Sequence, residues 1–236
     1  MTPPSQSATA LPIYLQISEN LIRDIAAGRL VDGERLPPER EMAASLGISV
    51  GTLRKALAEL ERQKLLERLQ GSGNYIRHQP NVASVYSMFR LELVGGGGLP
   101  RAEVISLDLM RKPDDLPEFG RSERASRIRR LRYLNETLIA LEEIWLDGSA
   151  GEIQAAKLSD SLYRYYKLHL GFWISRAEDR VGVAAIPSWG GERFHLSAGT
   201  PAGYVERFSW AQDELPVEFS RTWFDASRAL YVQRMK

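Results

Sequence analysis

Two arginines and two glutamates in the second half of the chain have the residue types and the spacing of an anion-binding site. Arg130 and Arg132 lie two apart in an alternating segment, so a strand would point both guanidinium groups to one face, where they can clamp one anion. Glu142 and Glu218 could then receive hydroxyl or amine groups of the ligand. Ser161, in the first turn of a predicted helix, adds a hydroxyl and free N–H groups that also favour an anion. The alternative is that the arginines are solvated strand-face charges and the glutamates are their ion-pair partners.

The geometry of this set depends on the turn between two predicted strands. If the Asn-Glu pair at 135–136 forms a strict two-residue hairpin, residue 130 pairs with residue 141, and Glu142 faces away from both arginines. A bulge, or a loop longer by one residue, returns Glu142 to their side, because a one-residue slip reverses the face of every side chain.

A second candidate for chemistry is a basic cluster in the first half of the chain. Between residues 54 and 77, six basic side chains stand against three acidic ones, whereas the whole chain has a formal net charge of only +1. The basic residues are Arg54, Lys55, Arg62, Lys64, Arg68 and Arg77. Local clustering, rather than the whole-chain balance, decides contact with phosphates, so this segment is the part expected to meet nucleic acid.

The composition excludes several kinds of site. The chain of 236 residues contains no cysteine, so disulfides, thiol nucleophiles and zinc–thiolate sites are excluded. His78, next to the predicted hairpin, could touch a phosphate, and His169 and His195 are expected to be surface or packing residues. The glycine run at 95–98 lacks the Lys-Ser/Thr of a phosphate loop and predicts a turn. With no hydrolase, zinc-protease or nucleotide-binding motif, we predict no catalytic residue, metal or cofactor.

The hydropathy pattern bears on localisation. No apolar run approaches the roughly 18 residues that a membrane-spanning helix needs. The opening MTPPSQSATA is polar and lacks the basic-then-apolar order of a signal peptide. A cytoplasmic protein without a membrane partner is therefore expected.

The first eighty residues have the pattern of three helices followed by a hairpin. The first helix carries Ile17, Leu21 and Ile25 on one face, and Gly28 follows its end. The second runs from about Pro38 to a cap at Gly47. The third is capped by Ser49, and its buried face is Leu53, Ala56, Leu57 and Leu60. Glycines in the QGSG segment at 70–73 fit the turn of a β-hairpin. This is a winged helix-turn-helix, which places its last helix in a major groove of DNA and its hairpin tip beside or in the minor groove.

The segment LPPEREMAASLGISVGTLRKALAELERQKLLERLQGSGNYI resembles the N-terminal DNA-binding domain of the GntR family of bacterial regulators, over roughly residues 12–77. The resemblance implies that Arg40, Arg54 and Gly71 fall on positions that contact DNA. The candidate DNA-binding residues are Arg40, Ser49, Val50, Gly51, Thr52, Arg54, Lys55, Gly71, Ser72 and Gly73. Trihelical units of this kind also serve as protein-interaction modules, but the wing and the basic cluster favour DNA.

Two departures from the family pattern lie at the start of the third helix. Relatives usually carry arginine at the position of Val50 and threonine at that of Gly51, and a serine commonly caps the second helix where this chain has Pro38. Losing a base-reading arginine removes discrimination of about 1–3 kcal/mol. Val50 can pack against a thymine methyl, and Gly51 lets the helix N-terminus approach a phosphate. We expect DNA binding with an altered preference at one or two positions.

From residue 82 the pattern changes to two-residue alternation. The strand candidates are residues 102–110, 126–134, 137–146, 174–186, 204–211, 215–224 and 229–235, and short helices are predicted at 113–119, 160–169 and 191–196. Strands joined by tight turns predict an antiparallel sheet with helices on one face, so the fold class is α+β.

This half resembles the UTRA ligand-binding domain of the HutC subfamily, which has a chorismate-lyase-like fold. The segments RLRYLNETLIALEEIWL, SLYRYY and LPVEFSRTWF fit its motifs in order. The resemblance implies an effector pocket lined by Arg130, Arg132, Glu142, Ser161, Tyr163 and Glu218. Two departures complete the candidate set: Phe224 stands where relatives often have tyrosine, and Arg90 stands where they usually have a small residue.

The resulting expectation is a regulator with a tail at 1–10, a DNA-binding domain at 11–78, a linker at 79–86 and an effector domain at 87–236. It would be a homodimeric repressor that binds a palindromic operator in double-stranded DNA. A small anionic metabolite in the effector domain would alter operator affinity. The alternative is a chorismate-lyase-like enzyme domain fused to a DNA-binding or protein-interaction module.

Overall fold

The computed structural model describes residues 12–26, 28–77, 88–158 and 161–234. The chain divides into one unit within residues 11–89 and another within residues 90–232. His78 and the predicted tail at 1–10 and linker at 79–86 lie outside the described residues.

The first unit has the predicted three helices and hairpin. They are α1 (Ile13–Ala26), α2 (Glu39–Ser45), α3 (Val50–Arg62), β1 (Leu66–Leu69) and β2 (Gly73–Ile76). The apolar stripes predicted for α1 and α3 are buried, which confirms both helix faces. The two strands pair antiparallel, with Leu69 opposite Gly73.

Short polar and glycine signals end and begin these helices as predicted. Gly47 has φ +65° and donates its N–H to the Ala44 oxygen at 3.1 Å, which ends α2. The Ser49 hydroxyl accepts the Thr52 N–H at 3.1 Å, which caps α3. Pro38 precedes α2 without a side-chain cap, because its ring offers no hydrogen-bonding group.

The second unit is built on one antiparallel sheet. Its strands are β3 (Leu91–Leu93), β4 (Pro100–Arg111), β5 (Arg124–Leu134), β6 (Thr137–Asp147), β7 (Arg176–Ala185), β8 (Pro201–Trp210), β9 (Glu218–Phe224) and β10 (Ala229–Tyr231). Six of them form a sheet in the order β4-β5-β6-β9-β8-β7, and β10 pairs with β3. The α+β class is confirmed, although the short strand β3 was not among the predicted strands.

The helical segments of this unit differ in part from prediction. Helix α4 (Leu162–Tyr165) continues as a π-helix at Tyr166–Leu170, close to the helix predicted at 160–169, whose first residue lies outside the described residues. The helix predicted at 113–119 is wrong, because two prolines four residues apart, Pro113 and Pro117, leave only a turn there.

The third predicted helix is displaced along the chain. A 3-10 helix covers Ser188–Arg193 instead of residues 191–196, and Gly191, at φ 56° and ψ −154°, interrupts it. Two further 3-10 turns, Gly148–Ala150 and Ala155–Lys157, were not predicted. The glycine run at 95–98 follows β3 as a turn, as predicted, and the Gly96 N–H bonds to the Leu93 oxygen at 2.7 Å.

The open question of register is settled by a bulge. Tyr133 pairs with Leu138, but Arg132 pairs with Ala140, so Ile139 is an extra residue on β6. Its carbonyl accepts the Asp225 N–H at 2.9 Å, which gives the unpaired backbone group a partner. Arg130 is therefore opposite Glu142 on the same face of the sheet.

The two faces of the sheet have different surroundings. One face carries the apolar clusters around Trp223 and Trp145, and the 3-10 helix packs against it through Trp189. The other face carries Arg130 and Glu142, and the helix that follows Ser161 packs there. Helical segments thus lie on both faces, and the prediction of one face is wrong. No helix among the described residues is long and apolar enough to cross a membrane.

Candidate functional site

The exposed start of α3 is the first place where predicted site residues come together. Gly51, Arg54 and Lys55 are exposed, whereas Val50 and Thr52 are partly covered. The Thr52 hydroxyl lies 2.9 Å from the Ser49 hydroxyl, so the cap occupies both side chains. Position 51 has ordinary helical backbone, and a Cβ there would meet only the Ser49 Oγ, at 3.8 Å. Neither the backbone conformation nor the local packing therefore requires glycine at position 51.

Arg54 is held from the neighbouring helix. Its Nε donates to the Glu39 Oε2 at 2.7 Å, and this bond holds the pKa of the Glu39 carboxyl below its ordinary value. Arg68 of β1 also approaches Glu39 and bonds to Glu61 at 3.0 Å. Arg40, on α2, is exposed to solvent. Sequence reasoning missed Glu39, because its partner lies fifteen residues away on another helix.

The wing turn has the conformation that its glycines predict. Gly71 has φ +75° with open space where a Cβ would stand, and Gly73 has φ +129°. A Cβ on Gly73 would lie 3.1 Å from the Arg35 Nε, so this glycine also gives room to an arginine. The Ser72 hydroxyl lies 2.7 Å from the Tyr75 hydroxyl, which braces the turn.

In the second unit, the arginine pair and Glu142 come together on one sheet face. The Arg130 Nε donates to the Glu142 Oε2 at 2.6 Å, and the Arg132 Nε lies 3.8 Å from the same oxygen. Both arginines are buried, at 6% and 3% exposure, so the alternative of solvated strand-face charges is wrong for them. Burial raises the pKa of Glu142, but the two guanidinium groups outweigh it and the pKa is lowered overall.

Glu218 lies on the same face in a different environment. Its carboxylate accepts hydrogen bonds from the hydroxyls of Tyr166 at 2.5 Å, Ser209 at 2.9 Å and Tyr163 at 3.3 Å. Burial raises the pKa of Glu218, and the hydroxyl bonds only partly offset that shift. Burial likewise raises the pKa of Tyr163, so this phenol remains a hydrogen-bond donor. The structure thus joins Tyr163 to Glu218, which the resemblance had assigned to one pocket.

A third polar group continues this face toward β7. Arg207 binds Asp179 through two nitrogens, at 2.5 and 2.6 Å, and the Tyr231 hydroxyl donates to Asp179 at 2.6 Å. Burial and the like charge of Arg207 lower the pKa of Arg90, which lies beside this group. Sequence reasoning missed Arg207 and Asp179. Strand alternation places Arg207 on the same face as Ser209, two residues further along β8. That this is also the face of Glu218 follows only from the pairing of β8 with β9.

The remaining candidates occupy the edges of this face. Ser161 is buried and caps α4 by accepting the Arg164 N–H at 3.3 Å. Phe224 lies opposite Gly203 and Ala140, and a Cβ on Gly203 would lie 2.3 Å from the Phe224 ring. The ring therefore fills the space that a side chain on β8 would need.

The histidines in the described part of the chain have packing roles. His169 lies against the Tyr165 ring, with 4.9 Å between ring centres. The His195 Nε2 lies 2.6 Å from an Asp225 oxygen, beside the turn that Asp225 caps. Among the described residues, no group of three or more histidine, aspartate or glutamate side chains could hold a metal ion.

Comparison with known proteins identifies both units. The model of the gntR family of bacterial regulatory proteins matches residues 13–76, and that of the UTRA domain matches residues 96–229. The chain is 54% identical over 228 residues to the HTH-type transcriptional regulator SmoD of Agrobacterium fabrum, which covers 96% of this chain and 97% of that protein.

A second relative is also a named regulator, and a solved structure shares the fold. The mannosyl-D-glycerate transport/metabolism system repressor MngR of Escherichia coli is 30% identical over 57% of this chain and 58% of its own. The crystal structure of YydK from Bacillus subtilis, described as a possible transcriptional regulator, has the same fold, with a TM-score of 0.54 and 22% identity over 96% of this chain and all of that one. SmoD and MngR are named as transcriptional regulators and not as enzymes. The chain belongs to the gntR family of bacterial transcriptional regulators, in the HutC-type arrangement of an N-terminal helix-turn-helix DNA-binding domain and a C-terminal UTRA domain that binds an effector.

Proposed function

We propose that this regulator is a cytoplasmic homodimeric repressor whose UTRA domain binds a small anionic metabolite and then releases a palindromic operator. The DNA-binding domain would comprise residues 11–78, the linker residues 79–86 and the effector domain residues 87–236. A dimer would present two copies of α3 to the two half-sites of the operator.

The observation that carries the effector site is the buried arginine pair. Arg130 and Arg132 both lie within ion-pair distance of Glu142 on one face of the sheet, and both arginines are buried. Buried guanidinium groups are costly to desolvate, and an anion that reached them would form charge-assisted contacts in a region of low dielectric constant. Ser161, near this face, would add a hydroxyl donor.

The other end of the site supports a ligand with hydroxyl groups. The described hydrogen bonds to the Glu218 carboxylate all come from hydroxyl groups. A ligand hydroxyl would be a donor of the same chemical kind. Tyr163 and Arg90 would flank such a ligand, and the Phe224 ring would contact its apolar surface. The relative MngR is named for mannosyl-D-glycerate, a sugar that carries a carboxylate. We infer the same chemical class here, a polyhydroxylated anion.

The DNA-reading surface would consist of the α3 start and the wing. Arg54, Lys55 and Arg40 are exposed and available to bases or phosphates, with Thr52 and the capped Ser49 at the helix N-terminus. Val50 would contact a thymine methyl, and Gly51 would admit a phosphate close to the backbone. Gly71, with Ser72 and Gly73, would bring the wing backbone to the minor groove.

Coupling between the two domains must obey linkage. If the effector lowers operator affinity by some factor, the operator lowers effector affinity by the same factor. Release on effector binding therefore requires that the effector bind the DNA-free arrangement more tightly.

The test begins with selection of bound sequences from a random duplex pool by the full-length protein. The enriched duplex is then titrated by fluorescence anisotropy, with and without inorganic phosphate, sugar phosphates and sugar acids as probes. An inverted repeat that one probe releases supports the proposal. Arg132→Lys should weaken release, because a single ammonium group cannot replace the paired N–H donors of a guanidinium group.

A matched control lies on the same strand. Arg129 bonds to Glu143 at 2.7 Å on the opposite face of the sheet, so Arg129→Lys should leave release unchanged. Enrichment of an inverted repeat that no anionic probe releases, or equal effects of Lys at positions 129 and 132, would contradict the effector site.

A further inference from the structure

Glu39 contacts two arginines on the surface proposed to read DNA. Its Oε2 accepts the Arg54 Nε at 2.7 Å, and its Oε1 lies 3.8 Å from the Arg68 Nη1. The Arg68 Nη2 also donates to the Arg54 backbone oxygen at 3.3 Å. One carboxylate of α2 therefore links α3 to the first strand of the wing, and it lines a cleft of about 370 Å³ between α2 and the wing turn.

The bond to Glu39 uses only one edge of the Arg54 guanidinium. Its terminal nitrogens, Nη1 and Nη2, make no hydrogen bond within the described part of the chain, and the side chain is 65% exposed. Arginine reads guanine by donating two N–H groups to O6 and N7. A long side chain that is already fixed at Nε loses less freedom when its terminal pair binds.

The charge of Glu39 needs an explanation at a DNA-facing surface. A carboxylate beside phosphates repels them, so an acidic residue here weakens binding unless it improves something else. The Arg54 bond keeps the pKa of Glu39 low, so the side chain is charged at neutral pH. What it can improve is the geometry of Arg54.

We propose that Glu39 is a positioning residue for DNA reading, which fixes the Arg54 guanidinium at Nε and directs its terminal nitrogens to a base edge. This rests on the proposed role of Arg54 in DNA binding. Glu39 thereby raises specificity, the ratio of affinities for operator and random DNA, and it lowers affinity for random DNA.

The experiment measures that ratio. Full-length wild type selects a duplex from a random pool, and this duplex and a scrambled one of equal length are titrated by anisotropy. The variants are Glu39→Gln, Glu39→Asp, Arg54→Ala and the double variant Glu39→Gln with Arg54→Ala. Glu59→Gln is the matched control, because Glu59 bonds to the Arg62 Nε at 3.0 Å within α3 itself. Circular dichroism melting checks the fold of each variant.

The expected loss of specificity in Glu39→Gln is about tenfold, within the range for one bidentate base contact, while binding of scrambled DNA stays equal or tightens. Glu39→Asp should also lose specificity, because it keeps the charge but its shorter side chain no longer reaches the Arg54 Nε. This variant tests the proposal if Glu39→Gln does not fold. Glu39→Gln should add nothing in the Arg54→Ala background, and Glu59→Gln should resemble wild type.

The proposal is overturned if Glu39→Gln keeps the wild-type ratio, or if it lowers the ratio equally when Arg54 is absent. Failure of the proposed function looks different. In that case wild type enriches no sequence, or Arg54→Ala alone leaves the ratio of operator to scrambled affinity unchanged. Glu39 then has no DNA-reading arginine to position.

Discussion

The two units contain the same chemical pair in two environments. In the DNA-binding unit the Arg54 Nε lies 2.7 Å from Glu39, and in the effector unit the Arg130 Nε lies 2.6 Å from Glu142. The arginine side chain is 65% exposed in the first pair and 7% exposed in the second. Equal distances therefore describe pairs of very different energy, because solvent screens the first and burial removes the screening from the second.

The difference would match the ligands that we propose for the two surfaces, DNA for the first and a small metabolite for the second. DNA presents a row of phosphates to an open surface, where exposed arginines can leave or keep their partners at little cost. A small metabolite must be recognised against many others, and buried charges and hydroxyls discriminate strongly because an incorrect ligand leaves them without partners. The sheet face around Arg130, Glu142 and Glu218 thus concentrates buried polar groups, whereas Arg54, Lys55 and Arg40 of the DNA-binding unit are exposed.

The largest expected effect comes from removing one carboxylate of each pair. Glu142→Gln leaves Arg130 buried without its carboxylate partner, and the free energy of unfolding of the effector unit should fall by about 3–5 kcal/mol. Glu39→Gln should lower the stability of the DNA-binding unit by less than about 1 kcal/mol. Urea unfolding followed by tryptophan fluorescence measures the first variant, because all five tryptophans lie between residues 145 and 223. Circular dichroism measures the second.

Equal losses in the two variants would contradict the contrast between the pairs. A further check is available for Glu142→Gln. If the arginine pair binds anions, inorganic phosphate should stabilise this variant more than it stabilises wild type, since an anion can take the place of the missing charge.

The next largest effect concerns packing on the sheet face that carries Arg130 and Glu142. A Cβ at position 203 would lie 2.3 Å from the Phe224 ring, so Gly203→Ala forces the ring to move and should cost about 1–3 kcal/mol. Gly182→Ala on the neighbouring strand is the control, because nothing lies within 4 Å of a Cβ there. Both are measured by tryptophan-monitored unfolding. Equal stability of the two variants would show that the face near Phe224 is loosely packed.

A smaller and pH-dependent effect distinguishes Glu218 from its neighbours. Burial raises its pKa above the ordinary 4.5, so the folded protein retains a proton that the unfolded chain releases. The free energy of unfolding should therefore fall as pH rises from about 4.5 through the raised pKa, and Glu218→Gln should lack this slope. The lowered pKa values of Glu142 and Asp179 act in the opposite sense, and their contribution is lost only as pH falls below the ordinary carboxyl range.

Tryptophan-monitored unfolding between about pH 5 and 8 compares wild type with Glu218→Gln. Parallel curves for the two proteins would contradict a raised pKa at Glu218. The hydroxyl groups that contact this carboxylate stay protonated between about pH 5 and 8. Tyr163, Tyr166 and Ser209 therefore add no pH dependence of their own to the free energy of unfolding.

The sequence predicts those features of both units that depend on local pattern. The apolar stripe of α3, the Ser49 cap and the Gly71 turn follow from spacing within a few residues. The common face of Arg130 and Arg132 follows from strand alternation. The helix predicted at 113–119 fails because two prolines in that stretch disfavour helical backbone.

Features that depend on register or on contacts between elements could not be predicted in this way. The bulge at Ile139 decides whether Glu142 faces the arginines, and a two-residue turn alone gives the opposite answer. Arg207 and Asp179 join the polar face only through the order of β9, β8 and β7, and Glu39 reaches Arg54 only because α2 packs on α3. Tertiary pairing brings these residues together, and no local pattern encodes it.

The smallest expected effect tests the open start of α3. Gly51 has ordinary helical backbone and free space, so Gly51→Ala should stabilise the DNA-binding unit by a few tenths to about 1 kcal/mol, since alanine favours helix over glycine. Far-UV circular dichroism melting measures this gain. If the glycine serves to admit a phosphate close to the helix N-terminus, the same methyl group should weaken binding of the selected duplex while it stabilises the fold. Opposite signs for stability and affinity would assign Gly51 to DNA contact, whereas unchanged or tighter binding would leave it as a substitution that this surface merely tolerates.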